Sequence, residues 1–199
     1  MERTPADDVQ AAFRVSLVSV VWTVAAGGLA IALGVASHSA VLVAFGAIGF
    51  VDAAGSVALA YHFHHAIRHE ALAEHLEQLA HRVVVAGLFL VGLGAVVVGS
   101  VRLVTGAHAD DSFAGTLLAA VSLVVLAALS ARKQQVARRV GSRALLADGR
   151  LSAIGAAQAA VALFGTAARG FGWSWADSIA ATIVGLVAMT TAFVTRGQD

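Results

Sequence analysis

From Val15 to Ala36 the chain runs without a single charged residue. A helix needs about 20 apolar residues to cross the roughly 30 Å hydrocarbon core of a bilayer, and a run this long has few other uses. Five further stretches of similar length and character follow: Ala40 to Tyr61, Val83 to Val101, Phe113 to Leu129, Leu151 to Ala168 and Trp173 to Val194. Inside hydrocarbon every backbone N–H and C=O must be paired within its own segment or barrel, so six such runs predict an all-α membrane protein with six transmembrane helices. The composition agrees, because 59% hydrophobic and 13% charged residues cannot clothe a water-soluble domain. The expected division is a polar cytosolic tail over 1–13 and a six-helix transmembrane domain over 14–195. Only Thr195 to Asp199 follow the last span, so no C-terminal soluble domain is expected.

The lipid bilayer is thus the first partner, and the placement of basic residues orients the chain within it. With the N-terminus inside, 11 of the 13 Lys and Arg fall in inner segments and only Arg102 and Arg169 in outer loops. Both termini are therefore expected in the cytosol, with the protein in the plasma (inner) membrane. The net charge of +1 carries no such information. Cysteine is absent, which removes disulfides and thiolate metal ligands together. The turn Ser37-His38-Ser39 is short enough to make the first two spans a hairpin, and Gly27, Gly28 and Gly34 offer small faces for close helix approach.

Two carboxylates stand out against this apolar background. Asp52 falls near the middle of the second span, where a charge costs on the order of 2.5–3.5 kcal/mol on insertion scales. Asp148 lies in the stretch SRALLADGRLSAIGAAQ, Ser142 to Gln158, which follows the basic segment ARKQQVARRVGSR and leads into the fifth span. Near Asp52 the polar side chains expected from helix geometry are Ser56, Ser152 and Gln158, all oxygen or amide donors, which suit hard cations better than zinc. If Asp52 lies level with Gly155, then Ser56 faces Leu151 and Leu59 faces Asp148, roughly 10 Å nearer the cytosol, close to the level of His62. His62, His65 and His69 share a helical face at i, i+3 and i+7, a spacing that lets imidazoles meet a metal or simply sit at headgroup level. The polar segment carrying them has helical composition and is expected to extend the second and third spans.

Two passages carry a resemblance. SHSAVLVAFGAIGFVDAAGS is similar to the span-two passage of the cation diffusion facilitator family, with its (H/D)xxxD pair, and SRALLADGRLSAIGA resembles that family's span-five passage, SxALxADxxHxxxD. The resemblance covers nearly the whole chain and implies a six-helix carrier that exports divalent cations, commonly in exchange for protons, with a tetrahedral site at mid-membrane and a homodimeric assembly. Residue by residue, Asp52 matches the second acid of span two and Asp148 the acid of the ADxxH phrase, whereas Ile48, Leu151 and Gly155 stand where the other ligands belong.

Three functional readings follow. The first is a divalent cation transporter with an altered site, using Asp52 with Ser56, Ser152 and Gln158 at midplane and Asp148 with the His62, His65 and His69 face as a cytosolic entrance. No resident cofactor is expected, only the transported ion. The second is a non-transporting membrane scaffold that keeps the fold. A membrane-embedded enzyme has no nucleophile paired to a base to support it, and the basic segment lacks the aromatic platform of a nucleic-acid site.

Overall fold

The computed structural model describes residues 5–65 and 70–196. Six helices are present: α1 (Pro5–Ala36), α2 (Ala40–His65), α3 (Glu70–Thr105), α4 (Phe113–Val140), α5 (Arg143–Ala167) and α6 (Ala176–Arg196), with a 3-10 turn at Ala168–Phe171 joining the last two. Each helix contains a stretch long and apolar enough to cross a bilayer, and the described residues contain no strand. The chain is an all-α, six-helix membrane protein.

Capping fixes the helix ends. Ser112 has an extended backbone and its Oγ accepts the Gly115 N–H, starting α4. Gly141 ends α4 at φ 67°, a left-handed conformation that suits glycine, and its N–H reaches the Ala137 carbonyl. Ser142 then starts α5 immediately, its Oγ accepting the Leu145 N–H at 3.2 Å. The Gly141-Ser142 turn is therefore the whole connection, and α4 and α5 run side by side as a hairpin.

The most extensive packing is between α1 and α2, between α4 and α5, and between α3 and α6, while α2 also meets α3, α5 and α6. Small residues permit this closeness. A Cβ on Gly46 of α2 would fall 2.5 Å from the Gly27 carbonyl of α1, and one on Gly185 of α6 the same distance from the Gly92 carbonyl of α3. The buried core is correspondingly rich in alanine, including Ala30, Ala119, Ala159, Ala162, Ala180 and Ala188. Between helices in lipid the attraction comes from such close van der Waals packing, since lipid tails are as apolar as leucine.

Three boundaries differ from the sequence expectation. Within the expected 1–13 tail, α1 is already helical from Pro5, and Ala12 is fully buried against Ala137 and Leu145. The fourth helix continues past Leu129 to Val140, so most of the basic segment is helix. The sixth begins at Ala176, leaving Trp173 and Trp175 in the preceding turn, where their rings stack at 5.6 Å. The expected helical extension of spans two and three is present in the backbone as far as His65 and from Glu70.

At the end of the bundle that carries the Ser37-His38-Ser39 turn, α6 contributes Asp177, which is 1% exposed. Its carboxylate accepts the Ser39 hydroxyl and, at 2.9 Å, the Ala40 N–H, so it closes the positive N-terminal end of α2. Arg102, in the last turn of α3, reaches the same carboxylate at 3.5 Å. One aspartate thereby ties α2, α3 and α6 together.

Candidate functional site

Halfway along the bundle the buried face of α4 repeats at helical spacing through Leu118, Ser122, Leu126, Ser130, Lys133 and Ala137. Lys133 is the only lysine in the chain, and it is fully buried. Gly149 of α5 packs against its stem, with so little room that a Cβ there would fall 3.1 Å from Lys133 Cβ. The Gly149 carbonyl accepts the Ser130 hydroxyl at 2.8 Å, and Ser130 in turn accepts the Gln134 amide at 3.0 Å. The α4–α5 contact thus delivers an ammonium to a fixed place between α2, α4 and α5.

Three oxygens surround that ammonium, matching its three hydrogens. Lys133 Nζ lies 2.7 Å from Asp148 Oδ2, 3.0 Å from Ser152 Oγ and 3.3 Å from Ser56 Oγ. Ser56 donates its own hydrogen to Asp148 Oδ1 at 2.9 Å. The Asp148 Oδ2 contact is an ion pair rather than an aligned hydrogen bond, since no donor meets that oxygen at a favourable angle. Asp148 is 3% exposed and Ser56 and Ser152 are equally enclosed. Few arrangements other than mutual pairing make two such charges tolerable away from water.

Asp52 sits one helical turn from Ser56 on α2 and is arranged differently. Its charge interacts with both Asp148 and Lys133. Among the described residues, however, its carboxylate has neither a hydrogen-bond nor an ion-pair partner. Asp52 is half-buried and lines a cavity of about 40 Å³ to which all six helices contribute. Thr23, Ser122 and Gln158 line the same cavity. The Thr23 and Ser122 hydroxyls are buried without a hydrogen-bond partner, as is Trp22 Nε1, which also belongs to the cavity wall. Orphaned polar atoms are uncommon in folded interiors, and several around one cavity mark a place built for something polar.

The sequence-derived residues are therefore divided between two neighbouring sites. Ser56, Ser152 and Asp148 gather around Lys133, while Asp52 and Gln158 face the cavity. The register differs from expectation by about one turn. Ser56 pairs with Asp148 and not with Leu151, which brings Asp148 close beneath Asp52 rather than to the level of His62. Ile48, Leu151 and Gly155 line the same cavity as Asp52. His69 lies outside the described residues, as do the side chains of His62 and His65, so their proposed entrance role rests on sequence alone. Among the described residues no three His, Cys, Asp or Glu side chains converge on a point.

Lys133 was not among the sequence-derived site residues. Its neighbours Arg132, Arg138 and Arg139 make it one member of a basic segment, whereas Lys133 itself is completely buried. Continuing the apolar period of the fourth span through Ser130 to Ala137 would have singled it out. Thr23 and Ser122 carried no signal beyond being hydroxyls in apolar helices. No protein-family model matches the chain, and no curated protein sequence matches it either.

Proposed function

We propose that this protein is a cation carrier of a lipid membrane and that Asp52 is the group that takes the ion. The observation supporting this most is the contrast between Asp52 and its neighbours: a carboxylate at mid-span without a partner among the described residues, on a cavity with orphaned hydroxyls, one turn from a buried ion pair of opposite charges. An unpaired acid in a membrane helix is costly and would be replaced without loss in a passive helix. The resemblance to cation diffusion facilitators supports the same class, a membrane carrier of cations. The basic-residue count supports both termini in the cytosol.

A scaffold reading has its own support in the Lys133–Asp148 pair, whose fixed geometry serves packing as well as transport. Asp52 separates the two, because a scaffold gains nothing from it. Purified protein in sealed vesicles, loaded in turn with alkali and divalent cations, should show cation flux above protein-free vesicles. Absence of flux for every cation, with the protein folded, would leave the scaffold.

A further inference from the structure

We infer that the cavity beside Asp52 is a binding site for one alkali-metal cation, coordinated by the Asp52 carboxylate and by the oxygens of Thr23, Ser122 and Gln158. As an assignment of cargo this rests on the carrier reading; as a binding site it stands alone.

Charge balance is the first argument. Asp52 and Asp148 are acids and Lys133 a base, so the enclosed cluster carries one net negative charge when all are ionised. A monovalent cation neutralises it. A divalent ion would leave one uncompensated positive charge next to a buried ammonium, in surroundings that screen poorly. Lys133 thus fills with a tethered cation the half of the charge that a dication would otherwise supply.

Donor chemistry is the second. All the candidate ligands are oxygens, one carboxylate oxygen pair, two hydroxyls and an amide, a set that favours hard ions over zinc or copper. Calcium takes six to eight oxygens, usually with several carboxylates, and only one unpaired carboxylate is present here. The Thr23 and Ser122 hydroxyls, 6% and 0% exposed, have no other partner to give up. Because hydroxyls choose among staggered rotamers, each can turn its oxygen to an ion without backbone movement.

Size is the third. A site needs roughly 10–15 Å³ on the same measure to admit one water, so about 40 Å³ holds an ion with one or two waters. A fully hydrated ion does not fit, and magnesium, which gives up its water shell reluctantly, is disfavoured for that reason as well.

The test is thermal unfolding of the purified protein in detergent at constant ionic strength, comparing choline chloride with LiCl, NaCl and KCl, and with MgCl2 and ZnCl2 added to choline. A ligand bound only by the folded state raises the midpoint in a saturable way. At least one alkali cation should do so, and the divalent ions should not. Asp52→Asn should abolish the shift, and Ser122→Ala should weaken the apparent affinity about tenfold, the effect of losing one polar contact to a charge. If Asp52→Asn fails to fold, Thr23→Val provides the same comparison. Equal midpoints in choline and all alkali salts, a shift that survives Asp52→Asn, or a preference for magnesium or zinc would overturn the inference. Alkali-dependent stabilisation without vesicle flux would uphold the site and remove the carrier; flux without alkali dependence would do the reverse.

Discussion

Asp177, beside the Ser37-His38-Ser39 turn, and the Asp52–Asp148 region inside the bundle solve the same problem in opposite ways. Each places carboxylates where water is scarce. Asp177 is saturated by the Ser39 hydroxyl, the Ala40 N–H and Arg102, all of them at the ends of helices it binds together. Asp148 is partnered as well, by the Ser56 hydroxyl at one oxygen and by the Lys133 ammonium as an ion pair at the other. Asp52, a turn away, is left open to a cavity with unused hydroxyls. Where an acid serves the fold, the fold matches it completely; the unmatched acid is the one available to an outside ion.

The sharpest way to break this comparison is to unmatch Asp148. Lys133→Ala leaves a buried carboxylate without its counter-ion and should destabilise the protein by about 3–5 kcal/mol, read by denaturant unfolding in micelles. Lys133→Met with Asp148→Leu removes both charges and should recover most of that loss. If the single variant unfolds no more readily than wild type, the pair is not the matched structural unit described here.

Asp177→Ala should cost less, about 2 kcal/mol, because charged hydrogen bonds to Ser39 and Ala40 are lost but both donors lie near the membrane surface, where water can replace the acid. Proteolysis or hydrogen exchange should locate the loosening at the α2 N-terminus. A loosening spread evenly over all six helices would deny Asp177 its role as a local latch.

A smaller effect is expected at Ser142, whose hydroxyl caps the helix that carries Asp148. Ser142→Ala should lower stability by about 1 kcal/mol, and Ser142→Asp should restore it. Loss of stability in both would mean that the cap is not what positions α5.

The architecture was legible because six apolar runs separated by polar turns admit few alternatives in a membrane. Asp52 was legible for the related reason that a charge in such a run is conspicuous. Lys133 was not, because a lysine among arginines at a helix end looks solvated until the inward face of α4 is followed past Leu129. The vertical offset of Asp148 was misjudged by a turn because it was set by aligning Asp52 with Gly155. The actual α2–α5 register is given instead by the Ser56–Asp148 contact. Ala12 was hidden in a segment whose polar composition resembles a tail, though one face of it is covered by Ala137 and Leu145.

The most direct measurement of the central claim compares stability and cation flux in wild type and Asp52→Asn. The substitution keeps shape and hydrogen-bonding capacity while removing the charge of a half-buried carboxylate that has no partner among the described residues, so in choline the variant should unfold no earlier than wild type. Its alkali-cation flux in vesicles should nevertheless fall to that of protein-free vesicles. Robust wild-type flux matched by Asp52→Asn would contradict the account and return Asp52 to the fold.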